Sequence, residues 1–547
     1  MRRWYVLIVL SLAIFVITLD TTMMNVAITA LSRDLHTDIQ HIQMAIAIYS
    51  LVMAAGMITG AKMARIYGTK RIFITGVILY TTGTITAALS SNMLMLTLGW
   101  SVIEGIGASL MMPTILSCLM TTYGGKERVR AFAVYAAILV GGAAIGPIVG
   151  GLFTTYASWR WAFGMEAFIM AAVLIFSRIL APHEPSGKRP GLDIGGIALC
   201  TTGLVSLVVG IISANTYGWW QATKPLVIGS HKIAPLGISI APLMMIAGGV
   251  LLASFVFWLR KQEKKGNDPL VPTSLFRNRY FICGTSTNFI MQMTIGAILF
   301  AVPFFLQTIL HLNAFQTGLT VIPLTLSMLA MSFVTARLIN RIPIKYLIIA
   351  GIVLMIVGAF IMADSFHPDM SMTSLTPGLV LIGTGLGLAL SQIGNITLSF
   401  ARSSETDEAS GLYATFLNLG RSIGTAAVGA VMLSSFLSGI VGGIDDSASL
   451  PRKDKDDLTI WITESSRRMK FDEFETKLKG KIENYPDRYV EELETIGINA
   501  ADNSMRITFY TLAGVFAGSL VASLFLPASK MVSRDDDTGE VEPQAML

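Results

Sequence analysis

The sequence predicts an all-α membrane protein, a bundle of about fourteen transmembrane helices, and three observations carry that expectation. Of 547 residues, 53% are hydrophobic and only 14% charged, against roughly 25% charged in a soluble globular chain. The apolar residues come in uninterrupted runs of about twenty, enough at about 1.5 Å per residue to cross a hydrocarbon layer about 30 Å thick. Lys and Arg gather in alternate short segments between those runs.

The runs centre near 5–31, 42–64, 72–92, 95–120, 129–154, 161–181, 194–214, 236–259, 281–310, 317–338, 345–364, 376–400, 410–438 and 505–527. The first follows MRRW and continues through Asp20 to about Leu31 with no small-residue cleavage site, so it reads as helix 1 and not as a cleaved signal. An even count puts both termini on one side. The basic segments are Arg2 and Arg3, Lys70 and Arg71, Lys126 to Arg130, Lys188 and Arg189, Arg260 to Lys265 with Arg277 and Arg279, Arg337 to Lys345, and Arg402. The positive-inside rule makes these loops and both termini cytoplasmic in a plasma membrane. It also accounts for the net charge of +5 and the pI near 9.0 without a nucleic-acid surface.

Residues 441–503 interleave charges of both signs on the expected outer side. Leu458 to Lys481 and Tyr485 to Gly497 read as a helical hairpin, the second helix opening at Pro486 and stopping at Gly497; a solvated loop is the alternative. The tail after Lys530, with Asp535, Asp536 and Asp537, reads as disordered. Cys118, Cys200 and Cys283 fall inside apolar runs, which fits packing better than a disulfide or metal site.

On helix 5, Gly142, Gly146, Pro147, Gly150 and Gly151 form a seam of small residues that lets two helix backbones approach closely. Ser158-Trp159-Arg160-Trp161-Ala162-Phe163 follows. Further on stand Asp268-Pro269-Leu270-Val271, Leu275-Phe276-Arg277, Pro303, Gln307, Gly318, Pro323, Glu408-Ala409-Ser410-Gly411-Leu412 and Leu419-Gly420. In these segments the chain resembles the fourteen-helix drug:proton antiporters of the major facilitator superfamily, the EmrB/QacA type. The resemblance runs from helix 1 to helix 13.

It implies two six-helix halves around a central cavity: residues 1–182, and residues 266–440 with 504–528. Two inserted transmembrane helices occupy 183–265, an extracellular loop 441–503 and a cytoplasmic tail 529–547. The implied function is multidrug efflux, a secondary active transporter exporting small amphipathic or cationic compounds by proton-coupled alternating access. Its implied partners are a small-molecule substrate, protons or another coupling ion, and the lipid bilayer; the chain is read as a monomer without cofactor or metal.

An ionisable side chain at bilayer depth costs roughly 2.5–3.5 kcal/mol or more, so each one invites a functional reading. Asp20, in Leu19-Asp20-Thr21-Thr22-Met23-Met24-Asn25, resembles the family's helix 1 signature, whose aspartate is implicated in proton coupling. Glu104 and Glu166 stand where the family generally has neutral polar residues. Ser101 stands where it has an arginine thought to assist proton transfer. In the cytoplasmic gating loop, Ala61-Lys62-Met63-Ala64-Arg65-Ile66-Tyr67-Gly68-Thr69 replaces the family's aspartate by Arg65, so an Asp-centred latch cannot form there. Lys62, Gly68, Lys70 and Arg71 are expected to supply a turn and a basic rim.

One lost cation and two gained acids leave like charges that must bind protons or recruit a cation. Asp20 with Glu104 or Glu166 is therefore expected to bind protons or a cationic substrate, with Arg421 on helix 13 as counter-charge. Asn25, Asn288, Gln292, Gln307, Gln392 and Asn395 are the expected polar lining of the cavity, and the 29 methionines suit a promiscuous apolar surface. No HExxH, GxSxG or GxxxxGK[ST] pattern occurs, which disfavours an enzyme and direct ATP drive. Two alternatives stay open: an exporter of lipid or another amphiphile with altered coupling, and a transport-like sensor or assembly protein.

Overall fold

The structure is a computed structural model. It describes residues 2–527 apart from 38, 181–190, 219, 221–225, 229–230, 234–237, 309, 311, 340, 368–369, 469–476, 479 and 482–485. Fourteen of its helices are long and apolar enough to cross a membrane. They are α1 (Arg2–Asp34), α2 (Ile39–Tyr67), α3 (Thr69–Ala88), α4 (Met93–Thr122), α5 (Gly125–Tyr156), α6 (Trp159–Phe176), α7 (Ile194–Tyr217) and α8 (Ile240–Lys264). After a short helix, Thr273–Arg277, come α9 (Arg279–Thr308), α10 (Ala314–Leu338), α11 (Ile344–Ser365), α12 (Thr376–Ser399), α13 (Thr406–Asp446) and α14 (Asp487–Leu524).

In the first half, α1 packs on α5, α2 and α3 on α4, and α3 on α6. In the second, α9 packs on α13, α10 and α11 on α12, and α11 and α13 on α14. The halves meet where α2 and α4 touch α13 and where α5 touches α10 and α12. Helices α7 and α8 pair with each other, and α7 leans on α2 and α13. Between α7 and α8, Leu226–Ile228 pairs antiparallel with His231–Ile233, a small hairpin the apolar runs did not announce.

The segment 441–503 differs from its expected hairpin. Arg452–Arg468 is a helix, and Leu458 and Ile462 on it pack with Ile440 and Ile444 of α13 and with Tyr489 and Leu493 of α14. Gly497 does not stop the second helix, which continues unbroken from Asp487 to Leu524. A glycine inside a helix costs only about 1 kcal/mol, less than the burial of the residues around it, among them Leu493, Ala500 and Ala501. The tail after Lys530 lies outside the described residues.

The glycine seam of α5 lies against α1. A Cβ on Gly142 would sit 3.0 Å from the Phe15 carbonyl, one on Gly146 2.8 Å from that of Leu19, and one on Gly150 2.8 Å from that of Met23. Backbone is thus packed on backbone over two turns, on the stretch of α1 that carries Asp20. Gly146→Val is expected to cost about 1–3 kcal/mol by overpacking, read as a lower melting temperature in detergent. Gly514→Ala, where nothing lies within 4 Å, should not lower it.

Candidate functional site

Asp20 on α1, Glu104 on α4 and Glu166 on α6 come together, one carboxylate oxygen of each lying within 4.8 Å of the others. All three are fully buried. Trp100 Nε1 donates to both oxygens of Asp20, at 3.0 and 3.1 Å, and Thr84 Oγ1 donates to Glu104 Oε2 at 2.9 Å. Among the described residues, Glu104 Oε1 and both oxygens of Glu166 have no hydrogen-bond partner, and the buried hydroxyls of Tyr49 and Tyr80 lie beside Asp20 and Glu104. No Lys, Arg or His forms an ion pair with the three acids among the described residues. Three negative charges at this spacing, all buried, have to be balanced by bound protons or by a cation.

The local fold explains how they meet. Thr97–Glu104 is a π-helical stretch inside α4, and it carries both Trp100 and Glu104. Gly83 of α3 lets that stretch come close, since a Cβ there would lie 2.5 Å from the Glu104 nitrogen. Trp100 stacks on Tyr49 at 5.4 Å and meets Phe163 edge-on at 6.2 Å, which walls the cluster with rings. Ser101 turns away and donates to the Ala45 carbonyl of α2 at 2.8 Å.

The other expected lining residues divide. Gln392 donates to the Val129 carbonyl across the halves at 3.2 Å and accepts from Asn395 Nδ2 at 3.2 Å, so this pair cross-ties α12 to α5. Asn288 is fully buried with neither amide atom partnered, and Gln307 is half-buried near the end of α9. The side chain of Asn25 lies outside the described residues. Arg421 is not a counter-charge to the acids: its Nε donates to Gln292 Oε1 at 2.9 Å, inside the second half, and among the described residues it forms no ion pair.

The end of α2 holds a second charged cluster, with the polarity reversed from an Asp-centred latch. Arg65 Nη1 lies 2.5 Å from Glu408 Oε1 and 3.6 Å from Asp268, while Lys62 Nζ lies 2.8 Å from Asp268 and 3.5 Å from Glu408. Lys62 also donates to the Pro269 carbonyl at 2.7 Å. Lys62 is therefore no rim residue; it is fully buried. Gly68 makes the expected turn, with φ of +97°. Lys70 reaches the carbonyls of Arg178 and Leu180, and Arg71 is exposed. Cations from α2 thus bind carboxylates from α13 and from the α8–α9 connection, and Ser117 of α4 donates to Asp407 beside them.

At the opposite end, Asp34 closes α1 against α6. It accepts from Trp159 Nε1 at 3.0 Å and from Arg160, whose other nitrogen donates to the Ser90 carbonyl at 2.8 Å. The Arg160 hydrogen bond, with Trp159 and nearby positive charge, holds the Asp34 carboxyl below the usual carboxylate range.

Sequence reasoning missed Trp100, Asp34 and the roles of Asp268 and Glu408. A tryptophan at bilayer depth does signal a need for an N–H partner, but not which one. The acids of the latch stand more than 200 positions from Lys62.

The family model of the Major Facilitator Superfamily matches residues 10–425. The chain is 27% identical to the probable actinorhodin transporter of Streptomyces coelicolor, covering 82% of this chain and 76% of that one. It is 26% identical to the multidrug transporter protein MdtP of Bacillus subtilis, covering 90% and 84%. It is 25% identical to the tetracenomycin C resistance and export protein of Streptomyces glaucescens, covering 79% and 76%. Among solved structures, a double tryptophan mutant of XylE superposes with a TM-score of 0.60 at 12% identity, covering 97% of each chain. The human organic anion transporter MFSD10 superposes at 0.56 with 11% identity, covering 95% and 98%. At those identities the likeness concerns the fold alone.

Three measurements check these contacts. Glu408→Gln strands Lys62 and Arg65 without their inner carboxylate and is expected to cost on the order of 3 kcal/mol. Arg65→Ala and Glu408→Ala should be non-additive by about 1–3 kcal/mol in a double-mutant cycle of thermal unfolding. Because the Asp34 carboxyl is held low, its contribution is complete above the unfolded carboxylate value of about 3.9 and is lost as pH falls through the lower folded one. The melting-temperature gap between the wild type and Asp34→Asn is thus expected to persist from neutrality to about pH 5 and to close only below about pH 4. It should be small, since Asp34 is 44% exposed and partly screened.

Proposed function

Since the chain belongs to the major facilitator superfamily, we propose that it is a secondary active transporter exporting small amphipathic compounds of the drug and antibiotic kind, driven by protons. The relatives support the export reading, being named for multidrug transport and antibiotic resistance. The single observation that carries the coupling is the buried cluster of Asp20, Glu104 and Glu166, which has no ion-pair partner among the described residues. Such a cluster changes charge by taking or releasing protons, and the charge changes how readily the surrounding helices accept water.

Asp20 sits on the stretch of α1 that packs on the glycine seam, between Thr18, which faces Gly142, and Thr22, which faces Gly146. Helix α5 in turn touches α10 and α12 of the other half. Loading and unloading protons at Asp20 therefore acts on the helix pair that leads to the interface between halves. The latch of Lys62 and Arg65 with Asp268 and Glu408 holds the opposite route shut in this arrangement and must part when the cavity opens that way. Both termini and the latch are assigned to the cytoplasmic side, from the basic loops.

In proteoliposomes with an imposed pH gradient, the wild type is expected to move a fluorescent amphipathic dye against its gradient. Asp20→Asn and Glu104→Gln should each lower the pH-driven component at least tenfold while gradient-free binding of the dye persists. Unchanged pH dependence in both variants would falsify the assignment of coupling to this cluster.

A further inference from the structure

Among the described residues, the buried acidic cluster of the first half and Arg421 of the second, whose Nη2 is buried, both lack an ion pair. We propose that the basic one, Arg421 on α13, is an anion site, and that the exported compounds are amphiphiles carrying a carboxylate. The inference rests on the exporter reading and narrows its substrate class.

A guanidinium at bilayer depth is retained only where something balances it. Lys62, a fully buried cation of α2, has two carboxylates and a carbonyl. Arg421 has the neutral Gln292 Oε1 at 2.9 Å on Nε, a buried Nη2 with no partner, and no ion pair. A second observation points the same way. Asn288 precedes Gln292 by one turn on α9, is fully buried, and has both amide atoms unpartnered. Tyr135 of α5, in the other half, lies within electrostatic reach of Arg421, and its buried hydroxyl is unpartnered too.

These groups share one chemistry. Arg421 Nη2, Asn288 Nδ2 and Tyr135 Oη are hydrogen-bond donors with vacant valence, and one of them is positively charged. A carboxylate takes such donors with charge-assisted bonds, and a planar guanidinium suits its two oxygens. A purely cationic compound would leave the guanidinium unpaired and be repelled by it. The site is also held in place. A Cβ on Gly420 would lie 2.6 Å from the Phe289 carbonyl, and one on Gly296 would lie 3.0 Å from the Arg421 Cα. Helices α9 and α13 therefore pack backbone to backbone around the arginine. Tyr135 belongs to the opposite half, so a bound carboxylate bridges the surfaces that part during alternating access.

The test compares two dyes with one xanthene core on purified full-length protein in detergent. Fluorescein carries a carboxylate and a phenolate, and rhodamine 6G is a cationic ester; binding is read by fluorescence polarisation. Fluorescein is expected to bind the wild type, at least tenfold more weakly to Arg421→Gln and severalfold more weakly to Asn288→Leu, with Arg421→Lys recovering part. Rhodamine 6G binding should be unchanged or tighter in Arg421→Gln. Should that variant fail to fold, Asn288→Leu and Arg421→Lys carry the comparison. Equal fluorescein affinity in wild type and arginine variants, or a wild type that takes only rhodamine 6G, overturns the proposal. Displacement of fluorescein by equimolar phosphatidylglycerol overturns the substrate assignment in favour of a lipid headgroup. Because no gradient is used, absent flux in vesicles beside intact Arg421-dependent binding counts against the exporter reading alone.

Discussion

Asp20, Glu104 and Glu166 meet within 4.8 Å with no ion-pair partner among the described residues, and much of the first half is arranged so that they can. The π-helical stretch of α4, the close approach at Gly83, and the ring wall of Tyr49, Trp100 and Phe163 all serve that meeting. A pocket of this kind is unstable with three negative charges and comfortable once they are balanced. The state of the pocket is therefore tied to what it has bound. The same low dielectric explains the latch, where Lys62 is buried because two carboxylates meet it.

Much of the fold was legible in the sequence, because a bilayer permits few solutions for backbone polar groups. The fourteen runs became fourteen helices, and the small residues of α5 became a backbone seam. Local signals failed where tertiary packing outweighed them. Gly497 carries a modest helix penalty and is passed over in a helix anchored at Leu493 and Ala500. The site was half legible. Intramembrane acids stand out in a sequence one by one, but their distances belong to the packing of α1, α4 and α6. Arg421 was expected to face them and is held by Gln292 on its own side. Asp268 and Glu408 stood inside recognisable segments, yet nothing local says that a lysine on α2 waits for them.

The inserted pair α7 and α8 is attached to this charge pattern. Asp193 caps α7 through the Gly196 nitrogen at 2.9 Å, accepts from Trp258 Nε1 of α8 at 2.9 Å, and accepts from the Leu270 nitrogen at 3.2 Å. One carboxylate thereby fixes both inserted helices to the segment that presents Asp268 to Lys62. The connection between halves is a structural member of the latch and not a slack tether.

Helix α13 runs 41 residues, about 60 Å at about 1.5 Å per residue, roughly twice the depth of a hydrocarbon layer. Glu408 lies at one end, and Ile440 and Ile444 at the other are clamped to α14 and to the helix Arg452–Arg468. Between them α13 bears on α9 through Gly420 and Gly424. One unbroken helix thus joins the charged contacts at one end to the apolar clamp at the other, so a constraint placed on either end is carried along the whole element.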